Sequence, residues 1–72
     1  MKFNRDIFRT APLWANWATI DRCGHIWIWE FEPQLDNGGD WWISTKPETK
    51  HHRIGSVQLL GVNLMPRRIH KP

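Results

Sequence analysis

Apolar and polar residues alternate over two adjacent stretches of the chain, residues 13–20 and residues 25–32. Side chains of a β-strand point alternately to its two faces, so this period of two predicts two strands. In the first stretch neither face is cleanly polar. In the second, one face carries His25, Trp27, Trp29 and Phe31, and the other carries Ile26, Ile28, Glu30 and Glu32. The second stretch therefore reads as the central strand of a sheet.

Turn residues separate these stretches from each other and from the next apolar run. Residues 21–24 predict a tight turn, because Asp21 can cap its own backbone and Gly24 tolerates a positive φ. Pro33 ends the second strand, since proline cannot donate to the ladder. Residues 36–40 form a flexible turn before a third strand, residues 41–45. Together these elements predict a three-stranded meander.

The remaining segments are less regular. Residues 3–8 suit a short helix or an irregular arm before Pro12, and residues 46–53 suit an exposed polar loop. A fourth strand is expected in residues 54–64, with a bulge or bend at its glycines, and residues 65–72 form a basic tail that frays unless a partner holds it. The predicted fold class is mainly β: a small antiparallel meander of three to four strands with a short N-terminal arm or helix. We expect a single domain over residues 1–72, with its core in residues 11–64.

Six tryptophans and no tyrosine occur in the chain, all between Trp14 and Trp42. Buried indoles serve as packing, and exposed ones offer a flat surface on which a ligand can stack. Aromatic residues are favoured in strands for packing alone, so the sequence leaves both roles open. Because both faces of the predicted hairpin are apolar, one of them must meet a partner chain, a helix or a ligand.

Length and cysteine content limit how the fold is stabilised. A chain of 72 residues makes a marginal core, and its single cysteine, Cys23, permits no intramolecular disulfide. We therefore expect a reducing compartment and support from homo-oligomerisation. The N-terminus lacks the apolar run of a signal peptide, and no run approaches the ~18 apolar residues of a membrane span. These features predict a soluble, cytoplasmic protein with no membrane partner.

The charge of +3 is unevenly distributed, with basic ends and an acidic middle. Residues 11–45 carry five carboxylates and one arginine, which argues against a uniformly basic nucleic-acid surface. Basic residues of the loop and tail are candidates for holding phosphate groups. The candidate ligand-binding residues are Trp17, Trp27, Trp29, Trp41, Trp42, Lys50, Arg53, Arg67 and Arg68.

Catalytic and metal chemistry find little support in the sequence. Cys23 and the scattered histidines lack the paired spacing of zinc ligands. Glu30 and Glu32 share one strand face, whereas hydrolytic carboxylates flank a cleft from different elements. No glycine-rich phosphate loop or activated nucleophile is present. We expect no metal, no cofactor and no enzymatic activity.

A spaced pattern covers residues 11–42. It consists of Pro12-x-Trp14-Ala15-x-Trp17, then Asp21 and Gly24, an aromatic segment with Glu30-x-x-Pro33, and Trp41-Trp42. This pattern resembles that of short proteins encoded by tailed phages and prophages, a group without a settled function. The resemblance implies a small accessory protein in the cytoplasm of the host cell and transfers no site residues.

Three binding functions agree with these expectations. The first is counter-defence by sequestering a small anionic, nucleotide-type immune signal of the host between aromatic and basic residues. The second is inhibition of a host protein through the tryptophan-rich face, since Trp and Arg are enriched in interface hot spots. The third, less favoured by the acidic middle, is binding of single-stranded nucleic acid.

Overall fold

The computed structural model describes residues 2–57 and 65–72. A short 3₁₀ helix, Arg5–Arg9, precedes the strands. The strands are β1 (Trp17–Ile20), β2 (His25–Trp29), β3 (Gln34–Leu35), β4 (Trp42–Ile43), β5 (His51–Ser56) and β6 (Arg67–His70).

The strands form one four-stranded antiparallel sheet in the order β5-β2-β1-β6 and one two-stranded sheet, β3-β4. The predicted fold class, mainly β with a small antiparallel sheet and a short N-terminal helix, is confirmed. Strand β2 lies between β1 and β5, so its predicted central position is also confirmed.

The β1–β2 turn has the predicted chemistry. Asp21 Oδ1 accepts hydrogen bonds from the backbone N–H groups of Cys23 and His25, at 2.9 and 3.0 Å. The N–H of Gly24 donates to the carbonyl of Asp21, and the φ of Gly24 is 83°. A side chain at this position would be strained, because only glycine adopts positive φ freely. The turn sets a register in which Trp17 faces Trp29 and Ile20 faces Ile26.

One face of the four-stranded sheet carries the hydrophobic core. Its buried residues are small or branched aliphatic side chains, and half-buried apolar side chains pack around them. The buried cluster is Ile7, Ala15, Ala18, Ile20, Ile26 and Ile28. Strand alternation places Trp17, Thr19, Trp27 and Trp29 on the opposite face. The core is therefore built from isoleucine and alanine, and the tryptophans of β1 and β2 lie outside it.

The second hairpin, residues 34–43, corrects the predicted meander. Trp42 and Ile43 pair with Leu35 and Gln34, and not with β2. Asp36 Oδ1 accepts from the N–H of Asp40, which closes the tight turn that brings β4 beside β3. Residues 41–45, predicted as the third strand of the main sheet, contribute only β4 to a separate sheet.

Strand β5 occupies the position next to β2. It begins at His51, inside the segment predicted as an exposed loop, and its register with β2 shifts between Ile26 and Trp27. The shift leaves Ile54 as an extra residue, and Ile54 packs against the core. The predicted bend near Gly55 is thus a β-bulge. The rest of the predicted fourth strand, residues 58–64, lies outside the described residues.

The basic C-terminal segment is a strand and does not fray. Residues Arg67–His70 pair with β1, with Arg68 opposite Thr19 and His70 opposite Trp17. Beyond the strand, the N–H of Lys71 donates to the carbonyl of Asn16 at 2.8 Å. Backbone pairing with β1, which polarity alone does not reveal, orders this segment.

Candidate functional site

A cleft opens on the tryptophan face of the main sheet, between that sheet and the second hairpin. It encloses about 220 Å³. We call it the tryptophan cleft. Its lining residues are Asp21, His25, Trp27, Trp29, Trp41, Trp42 and His51. Strands β2 and β5 supply one side, the β1–β2 turn supplies one end, and the second hairpin supplies the other side.

Trp29 forms a rigid part of the cleft. It is buried, and its indole Nε1–H donates to Thr19 Oγ1 at 2.9 Å, a bond between two strands on the same face. The imidazole of His51, opposite Trp29 in the β2–β5 register, stacks on it with ring centroids 5.1 Å apart and planes 18° apart. Trp27 stands tilted beside both rings, at 6.2 and 5.7 Å. Three rings of the main sheet thus form a continuous aromatic surface.

The second hairpin is held over this surface by specific bonds. Trp42 Nε1–H donates to the carbonyl of Ile20 at 3.0 Å. Arg22, in the β1–β2 turn, pairs with Asp40 of the hairpin at 3.2 Å. Trp41 is fixed less tightly: its side chain is 55% exposed, and its indole N–H has no acceptor within the described residues. Trp41 is therefore the ring most free to adjust to a ligand.

The end of the cleft at the β1–β2 turn carries a carboxylate. Asp21 is 5% exposed, and its Oδ2 lies 3.5 Å from Nδ1 of the half-buried His25. The turn amides satisfy Oδ1, so Oδ2 keeps acceptor capacity. His51 Nδ1 lies 3.1 Å from the carbonyl of Thr49; a proton on that nitrogen leaves Nε2 of the neutral ring as an acceptor. The cleft therefore combines π faces with acceptors.

Four of the five tryptophans predicted as ligand-binding residues line this cleft: Trp27, Trp29, Trp41 and Trp42. Trp17 lies on the same face of the sheet but outside the cleft, with its ring centroid 4.4 Å from that of His70. The alternation in β2 predicts that Trp27 and Trp29 share a face. Trp41 and Trp42 of the second hairpin reach that face through tertiary packing.

The four basic residues predicted to hold phosphates are not among the lining residues. Arg68 is engaged elsewhere: it donates to the carbonyl of Pro33 at 2.9 Å and pairs with Glu32 at 3.0 Å. Arg67 faces the opposite side of the sheet, with its guanidinium 5.3 Å from the Phe3 ring. Lys50 is exposed, with its backbone joined to Glu30. Arg53, exposed and paired with Trp27 in the β2–β5 register, comes nearest to the cleft in position.

Three lining residues were not predicted as part of the site: Asp21, His25 and His51. Asp21 was recognised only as a turn residue. His25 shares a face with Trp27 and Trp29 in the predicted strand, so the alternation already placed it on the aromatic side. His51 belongs to a strand that the polar composition of residues 46–53 concealed.

The described residues contain no cluster of three His, Cys, Asp or Glu side chains able to hold a metal ion. None of the helical segments in residues 2–57 and 65–72 has the length and apolar character needed to cross a membrane.

Fold and site together define a small antiparallel β protein with a tryptophan cleft on one face and an isoleucine core on the other. Comparison of the chain with protein-family models, with curated proteins and with solved structures gives no match.

Proposed function

We propose that the protein is a non-enzymatic binding protein that sequesters a small organic ligand in the tryptophan cleft. The observation that carries this proposal is the convergence of four indoles from two separate hairpins on one open cleft. None of the four belongs to the isoleucine and alanine cluster on the other face of the sheet, although Trp29 is itself buried. Aromatic side chains around a concave site with a few polar groups are typical of small-molecule sites.

The resemblance to short phage and prophage proteins supports a role as an accessory factor in the host cytoplasm, acting against host defence by removing a signal. A nucleotide-type signal would place its base between the indoles, and its phosphates would extend past the cleft towards Arg53. The support for this ligand is the aromatic surface in which Trp29 and His51 stack and Trp27 stands tilted beside them. The acidic end of the cleft supplies no contact for phosphate.

Native mass spectrometry and ¹H–¹⁵N spectra of the six indole N–H groups test sequestration directly. The untagged protein is measured alone and with adenosine, linear and cyclic nucleotides, and small ammonium compounds. We expect one ligand class to bind at fixed stoichiometry and to shift the indole signals of Trp27, Trp29, Trp41 and Trp42. Mass spectrometry also reports whether the protein is a homo-oligomer.

Two alanine variants provide the matched comparison. Trp41→Ala removes an exposed ring of the cleft, and Leu13→Ala removes a side chain that is 92% exposed and lies outside it. Trp41→Ala should weaken binding, and Leu13→Ala should not. Equal effects of both variants, or shifts confined to Trp14 and Trp17, would contradict the assignment of the site.

A second candidate function, inhibition of a host protein, is favoured by the outer surface of the second hairpin. Trp41 and Ile43 are both more than a third exposed there, and such aromatic and aliphatic side chains anchor protein interfaces. If a host protein co-purifies, Ile43→Lys should release it while leaving ligand binding in the cleft intact. Retention of that protein by Ile43→Lys would remove this candidate.

A further inference from the structure

The charge of the tryptophan cleft differs from that of the whole chain. The protein carries +3, yet the lining residues include one carboxylate, Asp21, and no lysine or arginine. The nearest cations of the β1–β2 turn and of the tail are already paired, Arg22 with Asp40 and Arg68 with Glu32, and Arg53, on the tryptophan face of β5, does not line the cleft. Apart from its two histidines, the lining of the cleft therefore carries one charged side chain, the carboxylate of Asp21. An anionic group placed beside Asp21 would therefore be repelled, and the phosphates of a nucleotide would have to lie outside the cleft, towards Arg53.

The faces of the indole rings favour the same sign of ligand. An aromatic ring carries negative potential on its faces, and a cation within about 6 Å of a ring centroid is attracted to it, most strongly by tryptophan. The protein already makes such contacts nearby, with the guanidinium of Arg68 5.8 Å from the Trp17 ring and 6.0 Å from the Trp42 ring. Inside the cleft, four indoles surround a space of about 220 Å³ that no side-chain cation of the lining fills.

The geometry points to a soft organic cation as the group that enters the cleft, and we infer that it is a trimethylammonium group. Its methyl groups match the apolar ring faces, and its charge is balanced by Asp21 Oδ2. A compact, strongly hydrated ammonium such as that of lysine loses more solvation in the same place. This inference rests on the proposed function in one respect only, that the cleft is a ligand site.

Choline and its neutral analogue 3,3-dimethylbutan-1-ol provide a matched pair of probes, because they have the same shape and differ in charge. Each is titrated at constant ionic strength while the indole N–H signals are followed. We expect choline to bind about tenfold more tightly than the alcohol. Equal affinity of the two probes, or no shift with choline, would overturn the inference.

Two aspartate variants distinguish an effect of the cleft charge on choline affinity from an effect of turn stability. Asp21→Asn keeps an oxygen that can cap Cys23 and His25 and removes the charge from the cleft. Asp36→Asn makes the same change at the corresponding capping position of the second hairpin, outside the cleft. Asp21→Asn should reduce choline affinity about fivefold or more and leave the alcohol unchanged, whereas Asp36→Asn should alter neither. Unchanged choline affinity in Asp21→Asn would contradict the role of the carboxylate.

If Asp21→Asn fails to fold, the affinities of the unmodified protein for choline and for the alcohol still test the cation inference. Adenosine distinguishes the two proposals: if it shifts the cleft indoles and choline does not, the cleft remains a ligand site and the cation inference is wrong. If neither choline nor adenosine nor any nucleotide of the panel shifts them, both proposals fail. The source of the cation is resolved by comparing choline with a short peptide containing trimethyllysine and with the same peptide unmethylated. Tighter binding of choline indicates a free small molecule, and tighter binding of the methylated peptide indicates a modified protein.

Discussion

The indole N–H of Trp42 donates to the backbone carbonyl of Ile20, 22 residues earlier in the chain, at 3.0 Å. Ile20 is the last residue of β1, and Trp42 is the first residue of β4. The bond therefore joins the four-stranded sheet to the second hairpin and fixes one side of the cleft relative to the other.

Replacing Trp42 with phenylalanine should destabilise the protein by about 1–2 kcal/mol, because a smaller aromatic ring remains and the donor to Ile20 is lost. Urea unfolding followed by circular dichroism measures this difference. Trp41→Phe is the control: it makes the same change on the neighbouring residue, whose indole N–H has no acceptor in the described part of the chain. A loss in Trp41→Phe as large as that in Trp42→Phe would show that the hydrogen bond is not the cause.

Thr19→Val should destabilise the protein by about 1–3 kcal/mol, since it leaves the buried indole N–H of Trp29 without an acceptor. A double-mutant cycle with Trp29→Phe tests the pair. In the double variant no orphaned donor remains, so its loss should be smaller than the sum of the two single losses. Strict additivity in urea unfolding would mean that the two groups do not interact.

His51→Ala should move the indole N–H signal of Trp29, because the imidazole stacks on that ring. His52→Ala is a close control. His52 is the next residue along β5 and is paired with Ile28, so its side chain belongs to the other face of the sheet. Similar movement of the Trp29 signal in the two variants would contradict the register of β5.

Arg68→Ala should reduce stability by about 1 kcal/mol, and Arg67→Ala by much less. Arg68 bonds to a carbonyl and a carboxylate near the second hairpin, and both ionic side chains are partly exposed, which limits the value of the pair. Arg67 lies over Phe3 on the other side of the sheet. Thermal unfolding of both variants at low and high salt measures the difference. Equal losses would show that the contacts of Arg68 with Glu32 and Pro33 contribute little.

Local chemistry predicted the β1–β2 hairpin correctly. Asp21 and Gly24 determine the turn by their own conformational preferences, and the alternation of isoleucine and tryptophan in β2 separates the two faces. These signals lie within a few residues of one another, so they can be read without knowledge of the rest of the fold.

The edge strands could not be predicted in the same way. The residues of β5 and β6 are mostly polar, as in His51-His52-Arg53 and Arg67-Arg68, because an edge strand of a small sheet has much of its surface in water. Their pairing with β2 and β1 depends on partners far away in the sequence. The composition of the cleft could not be predicted for the same reason. The register of β6 with β1 decides whether Arg67 or Arg68 shares a face with the tryptophans.

The extra residue at Ile54 determines how a deletion or insertion in β5 would change the register of that strand with β2. If β5 paired with β2 continuously from Ser56 and Gly55, with no bulge at Ile54, Arg53 would lie opposite Ile28 and His52 opposite Trp29. Deleting Ile54 would therefore keep the present pairs of Trp27, Ile28 and Trp29, whereas deleting Arg53 would move His51 and His52 to opposite faces of the sheet. Substitutions in β5 act locally, whereas insertions and deletions before Ile54 change which side chains of the strand face the cleft.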